Sequence, residues 1–567
     1  MKRLFTLLSL PAKVLTTASF LLAFSFFSCK TPQSATGGKG DQAPFLWENA
    51  NIYFLLTDRF NNGNPKNDLN FDRTAKTATL RGFMGGDIKG ITKKIEDGYF
   101  DKLGITAIWF TPVVEQIHGF VDEGTGATYG FHGYWTKDWT RLDPNFGTEK
   151  DLAELVKKAH QHRIRIVFDV VINHTGPVTE QDPLWPGWVR TEPQCVYKDY
   201  KSTVECTLVK NLPDIKTESN EPVGIPPFLA EKWKKEGRYE KEMAELDAFF
   251  KRTGYPRAPR FYIIKWLSDY IRKYGVDGYR CDTAKHIEES VWAELRKEAD
   301  LAFADWKKAN PGEVLDNNEF YMVGEVYFYN ITGGRMYDFG DRKVDYFNYG
   351  YNSLINFDLR SAAKNPSYEA IFSKYSNLLQ NELKSKSVLN YLASHDDGEP
   401  FDKERKKPIE SGTKLLLCPG ASQVYYGDET NRSLIIPGTQ GDATLRSFMN
   451  WDELASNADR NGYKTQDVLA HWQKLGQFRR AHPAVGAGFH KMLSEKPYLF
   501  QRKFVSGLFT DTVVAGLDWP KGKKEVMVQG IFPDGTVLTD YYSGQRVTVS
   551  AGKVIVDSQF EIVLLGK

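Results

Sequence analysis

The chain has 567 residues, too many for one small binding module. At roughly 150 residues per domain it holds three or four units, although one α/β barrel alone uses about 200–250. Hydrophobic residues at 41% and charged residues at 26% exclude a disordered chain, and Lys+Arg 74 against Asp+Glu 72 excludes binding driven by phosphate neutralisation, so no nucleic-acid partner is expected. The aromatic share is 14%, which fills cores or lines a groove for flat apolar faces.

The N-terminus differs from the rest. Lys2 and Arg3 precede an apolar stretch that runs from Val14 to Phe27 without a charge. That is a signal peptide over residues 1–28, too short for a comfortable membrane span. It ends at Ser28-Cys29, and a small residue before Cys resembles a relaxed lipobox, so Cys29 is a candidate lipidation site. Ordinary secretion with an incidental Cys is the alternative. Residues 29–44 are rich in Ser, Thr, Gly and Pro and read as a flexible tether. The expectation is a periplasmic or outer-membrane lipoprotein, with a cell-surface position also open. The lipid is the only membrane contact expected, and the protein is expected to be a monomer.

From residue 50 onward, short apolar runs alternate with amphipathic stretches. Strands are predicted at 51–56, 106–110, 165–171, 278–281, 321–323, 344–347, 388–393 and 423–426. Helices are predicted from Thr148, with Asp151 as its capping-box partner, over 260–275 and over 290–309. Eight strands alternating with helices predict an α/β fold, a (β/α)8 TIM barrel over residues 45–487. More than 100 residues separate the third and fourth strands. That predicts a subdomain inserted after strand 3, over 174–225. Cys195 and Cys206 lie within it, and an oxidising compartment permits them to bridge. Cys281 and Cys418 sit in apolar surroundings and read as buried thiols. From about 488 to 567 short alternating stretches predict a C-terminal all-β sandwich domain. Tyr541, Tyr542 and Trp519 lie there, and packing on the barrel is favoured over sugar binding.

Four polar clusters follow four predicted strands, where a barrel builds its chemistry. They are DVVINH (169–174), GVDGYRCDTAKH (275–286), GEV (324–326) and LASHDD (392–397). Together they bring Asp282, Glu325 and Asp396 to one mouth, with Arg280, His174 and His395 beside them. Each cluster alone is weak, since a strand-end Asp is often a helix cap. No strand–GxGxxG–helix unit supports a dinucleotide enzyme.

In these four clusters the sequence resembles glycoside hydrolase family 13, the α-amylase family. IYFLLTDRFNNGNP (52–65), GFHGYWTKDWTRLDPNFGT (130–148), LPDIKTES (212–219) and YYGDE (425–429) resemble further family segments. WFTPVVEQIHG, LPDIKTES and DGYRCDTAKH are most similar to the periplasmic α-amylases of Gram-negative bacteria. Cys281 replaces the family's usual small aliphatic residue. The resemblance implies catalysis by Asp282 as nucleophile, Glu325 as acid and base, and Asp396 as a stabiliser of the distorted sugar. It implies substrate binding by Tyr134, His174, Arg280, Lys285, His286 and His395, with Asp169 orienting Arg280. It also implies Ca2+, held by Asn173, Asp214 and the main-chain oxygen of His286. A second calcium position resembles that of cyclodextrin-forming relatives: Asn62, Asn64, Asn67, Asp68, Gly85 and Asp87.

The implied function is a retaining, endo-acting α-1,4-glucan hydrolase acting on starch, glycogen or maltooligosaccharides. Cyclomaltodextrinase, maltogenic amylase and glucanotransferase activities stay open within the family. A non-catalytic glucan-binding lipoprotein is the reading from a different class.

Overall fold

Eight short strands are buried along their whole length, and that burial on both faces is what a parallel barrel requires. They are β1 (Asn51–Leu55), β2 (Ala107–Phe110), β3 (Arg165–Val170), β4 (Gly278–Cys281), β5 (Tyr321–Gly324), β6 (Ser353–Asn356), β7 (Ser387–Asn390) and β8 (Ala421–Tyr425). They pair in sequence order, all parallel, and β8 closes on β1. The computed structural model describes residues 43–122, 124 and 126–567. The expected signal peptide, Cys29 and most of the tether lie outside the described residues. Among the described residues no helix is long and apolar enough to cross a membrane.

The sixth strand corrects the sequence reading. Residues 344–347 do not enter the barrel. Lys343–Val344 pairs with Tyr337–Asp338 in a small hairpin, and Tyr346–Tyr349 forms a 3-10 turn. Asp345 caps that turn by accepting from the Phe347 amide, a local bond that competes with a strand. The true β6 has only Leu354 and Ile355 as apolar residues, too few to make a pattern.

The helices follow their local signals. Glu149–Gln161 starts at Thr148, which accepts from the Asp151 amide while Asp151 accepts from the Thr148 amide. Pro259–Tyr274 stops at Gly275, whose φ is +73°, and a Cβ there would lie 2.0 Å from the Trp306 ring. Only glycine fits that turn.

Between β3 and β4 the chain leaves the barrel. A short hairpin, Val189–Arg190 with Asp214–Ile215, encloses the disulfide Cys195–Cys206. Helices Pro227–Lys235 and Tyr239–Thr253 follow before the barrel helix Pro259–Tyr274. Trp188 of the insertion stacks parallel to Trp266 of that helix, with ring centroids 6.0 Å apart. Trp139 and Trp185 extend this aromatic layer, so much of the aromatic surplus is core.

The C-terminal region is all-β, as predicted, and its strands pair antiparallel. β9 (Phe489–Ser494), β10 (Tyr498–Ser506), β11 (Phe509–Leu517), β13 (Val537–Asp540), β14 (Arg546–Thr548) and β16 (Val563–Gly566) make one sheet. β12 (Gly522–Met527) and β15 (Lys553–Ser558) make the second, and Val514, Val526, Leu538, Val556 and Leu565 pack between them. Tyr542 hydrogen-bonds His471 at 2.7 Å, and Tyr541 packs on Phe478 and His482. Both tyrosines therefore face the barrel helix Thr465–Ala481.

Candidate active site

Register decides which polar residues meet. Cys281 of β4 lies beside Gly324 of β5, so the next residues, Asp282 and Glu325, emerge side by side. Arg280 lies beside Asp169 of β3 and, by the period of two along a strand, shares a face with Asp282. Its Nη1 is 2.5 Å from Asp282 Oδ1 and 3.2 Å from Asp169 Oδ1, and its Nη2 is 3.1 Å from Glu325 Oε2. One buried guanidinium thus touches three carboxylates. Burial alone would lower its pKa; the carboxylates more than reverse this, and it stays charged.

Asp169 takes no exposed position. It accepts from Trp109 Nε1 and Tyr134 Oη, each at 2.9 Å, as well as from Arg280. Burial pushes its carboxyl up to about 6, against the pull of Arg280. These contacts suit a residue that orients Arg280. Glu325 accepts from the Thr283 amide at 2.8 Å. Burial holds its carboxyl well above the usual range; Arg280 opposes this and the Asp282 charge adds to it. It keeps its proton where an ordinary glutamate loses it. Asp396 is more open and accepts from Ser394 Oγ at 3.3 Å.

A cavity of about 230 Å³ lies between these groups. Tyr134, Asp282, Thr283, His286, Glu325, Tyr327, His395, Asp396 and Arg446 line it. Tyr134 and His395 stack with centroids 5.3 Å apart. Burial depresses His174, His395 and His286, the last to about 4, so all three are neutral near pH 7. They can hydrogen-bond hydroxyls but do not serve as acids. His174 Nε2 lies 3.1 Å from Tyr134 O. Lys285 stands outside the cavity, its Nζ donating to Tyr337 Oη at 3.1 Å, and burial lowers its pKa. The Cys281 thiol is buried.

Two lining residues were not legible in sequence. Arg446 sits in the long segment after β8 and donates to His395 O at 2.9 Å. Nothing near it forms a motif; its one signal is an arginine between apolar Leu445 and Met449. Tyr327 follows Glu325 by two residues and reads as an ordinary core aromatic.

Some of the candidate calcium residues also meet. Asp214 is buried beside Asn173, whose carbonyl accepts from the Ile215 amide at 2.8 Å. Burial pushes the Asp214 carboxyl up to about 9, and neither of its oxygens has a hydrogen-bond partner. Arg190 Nε lies 2.8 Å from Oδ2 as an ion pair without hydrogen-bond geometry, and Oδ1 has no cation beside it. The His286 ring points elsewhere, to Thr203 O at 3.0 Å. At the second position Asn62 donates to both Asp68 oxygens, and the amide of Asn64 bonds Asn62 Oδ1. Asn67 Oδ1 and Asp87 Oδ2 are buried without partners. Gly85 has φ +89°, and a Cβ there would lie 2.5 Å from Asn62 Nδ2. Among the described residues no group of three His, Cys, Asp or Glu side chains could hold a metal. An ion at either position would add amide and main-chain oxygens to the one or two carboxylates there, a mixture that hard cations accept.

A larger cavity, about 660 Å³, opens on the outer barrel wall near Trp266, Tyr270 and Phe249. Its carboxylates are taken: Glu298 by Arg252, Glu245 and Asp269 by Lys265, Asp305 by Arg272. The smaller cavity instead sets Glu325, whose carboxyl burial holds well above the usual range, beside Asp282.

Comparison with known proteins agrees with this geometry. The family model described as the α-amylase catalytic domain matches residues 54–433. The chain is 36% identical to the periplasmic α-amylase of Escherichia coli (strain K12), over 81% of this chain and 71% of that one. It is 26% identical to a cyclomaltodextrin glucanotransferase of Thermoanaerobacterium thermosulfurigenes, over 80% of this chain and 58% of the relative's length. Among solved structures, an Anoxybacillus α-amylase superposes with a TM-score of 0.62 at 23% identity, covering 92% of this chain and 99% of that one. At that identity the likeness shows the fold. The catalytic-domain match and the 36% identity together show that the chain belongs to the α-amylase family, glycoside hydrolase family 13.

Proposed function

We propose that the protein is a retaining, endo-acting α-1,4-glucan hydrolase that cleaves starch, glycogen or maltooligosaccharides by double displacement. The observation that carries this reading is the Arg280 contact shared by Asp282 and Glu325. Asp282 and Glu325 leave neighbouring strands at adjacent positions and both reach the Arg280 guanidinium, so they face one bond from the same mouth. A retaining pair stands about 5–5.5 Å apart. Glu325, held protonated by burial, gives its proton to the glycosidic oxygen as the C–O bond breaks. Asp282 forms the bond to the anomeric carbon. Water then attacks that carbon, returns a proton to Glu325 and releases Asp282. Asp396 and the neutral His174 and His395 hold the ring hydroxyls, Tyr134 offers its face to the sugar, and Lys285 and His286 meet the leaving-group side. Reducing-sugar release from maltodextrin tests this, with folding of each protein checked by circular dichroism. Wild type should release reducing ends. Folded Asp282→Asn should not, and its turning over normally would defeat the assignment.

Calcium fits the open oxygens described above. Asn173, Asp214 and the main-chain oxygen of His286 would hold one ion; Asn62, Asn64, Asn67, Asp68, Gly85 and Asp87 would hold a second. Bound there, the first ion would supply fixed positive charge tying the insertion to the barrel. The domain limits are 45–487 for the barrel, 174–225 for the insertion and 488–567 for the sandwich. The N-terminal signal and the periplasmic name of the Escherichia coli relative support export, with Cys29 lipidated and residues 29–44 as the tether.

A further inference from the structure

The three carboxylates of the cavity are not held alike. Asp282 and Glu325 share Arg280, but no arginine or lysine among the described residues pairs with the Asp396 carboxylate. Its nearest partners are Ser394 Oγ at 3.3 Å and the neutral His395, whose Nδ1 lies 3.7 Å away. Asp396 stands on a loop without regular structure past the end of β7, and its side chain is 35% exposed. The residues on either side of it are pinned instead. Arg446 Nε, from the segment after β8, donates to His395 O at 2.9 Å, and Asp442 holds that guanidinium at 2.5 Å from its Nη2. On the other side Asp397 is buried, and its Oδ2 accepts from Tyr391 Oη at 2.8 Å. Arg360 Nε, from the short helix Leu359–Ala362 after β6, pairs with the same oxygen at 2.6 Å, and its Nη1 donates to Glu399 O at 3.3 Å. The Glu399 amide donates to Asp397 Oδ1 at 3.1 Å, and the Phe401 amide donates to Leu392 O at 2.9 Å, which closes the loop.

We propose that Arg360, Tyr391 and Asp397 are positioning residues for Asp396: they fix its loop from one side as Arg446 fixes it from the other, so that the Asp396 carboxylate is aimed at the sugar without being neutralised. A group that stabilises developing positive charge works best when it is set in place before the reaction and keeps its own charge. An arginine in direct contact would offset that charge before the sugar develops its own. Holding the neighbours avoids this, because the carboxylate is placed through the backbone while its oxygens stay open. Tyr391 lies at the end of the same strand as Asp396, and Arg360 follows the adjacent strand β6, so the anchor ties one loop to two strand ends. A looser loop would weaken contact with the charged transition state more than contact with the uncharged ground state. This inference rests on the reading of Asp396 as the stabiliser of the distorted, positively charged sugar.

The test uses the full-length protein, with folding of each variant checked by thermal melts. Asp397→Asn keeps the shape and drops the charge, and Tyr391→Phe removes one hydroxyl and leaves the ring. On maltoheptaose, kcat should fall about 10²-fold in Asp397→Asn and about 10-fold in Tyr391→Phe, with KM within about threefold of wild type. Calorimetric titration with acarbose, whose half-chair ring and protonated amine resemble the transition state, should show losses of affinity of the same order. Maltose, which carries no such charge, should bind within about twofold of wild type. The acarbose titration repeated in an Asp396→Asn background separates positioning from a general structural role. There the same two substitutions should weaken acarbose by less than about twofold, since the group they aim no longer carries charge. A full loss in that background, or unchanged kcat and acarbose affinity in both single variants, would overturn the positioning role alone. An Asp396→Asn protein that hydrolyses maltoheptaose at the wild-type rate would instead overturn the reading of Asp396 beneath it.

Discussion

Arg280 Nη2 stands 3.1 Å from Glu325 Oε2, so the cation that steadies Asp282 also loosens the proton of its neighbour. Burial raises the Glu325 pKa, and Arg280 lowers it. A lysine keeps the charge but not the fork that serves both carboxylates. Arg280→Lys should therefore weaken the lowering influence. The alkaline limb of the kcat–pH profile, which reports loss of the Glu325 proton, should move to higher pH by on the order of one unit. kcat itself should fall at least about 10²-fold, because Asp282 loses its fixed partner. A limb that stays put or moves to lower pH would show that Arg280 does not control Glu325.

Glu325→Gln removes the acid while keeping the shape. kcat should fall about 10²–10⁴-fold on substrates with a poor leaving group. Stability should move the other way. The folded carboxyl titrates above its ordinary value of 4.5. The folded state therefore holds its proton more tightly than the unfolded chain, and stability is lost as pH rises from the unfolded pKa toward the folded one. Thermal melts should show the glutamine variant level with wild type near pH 4 and above it near pH 8.

Chelation should lower the melting temperature of the wild-type protein, and calcium should restore it. At an ion concentration of about 100 Kd the stabilisation is about 2.7 kcal/mol per site. Asp214→Asn should remove the part of that response due to the first site, and Asp87→Asn the part due to the second. Calorimetry with and without calcium reads both, and two variants that respond like wild type would refute the assigned ligands.

Thr148→Ala deletes the capping box of Glu149–Gln161 far from the cavity. It should lower stability by about 1 kcal/mol and leave kcat unchanged. Denaturant unfolding beside a steady-state assay checks both halves.

Much of this was legible because the sequence marks its own strand ends. Arg280, Asp282 and Glu325 follow apolar runs, and the structure sets them side by side through the register of β4 and β5. β6 was misplaced because two apolar residues make no pattern, while Val344 and Phe347 made a false one. Arg446 stayed hidden because its place is set by a loop that packs on His395, a contact between distant positions that leaves no local trace. The contact of Tyr200 with Phe339 and Asp341 was invisible for the same reason, since it joins residues from the insertion and from the loop after β5.

The central claim is double displacement by Asp282 and Glu325. Its most direct measurement is the anomeric configuration of the first product, followed by proton NMR during hydrolysis of a maltooligosaccharide before mutarotation. The account predicts that the newly formed reducing end appears as the α-anomer and drifts toward the equilibrium mixture. A β-anomer appearing first would mean a single displacement by water, and would contradict the role given to Asp282.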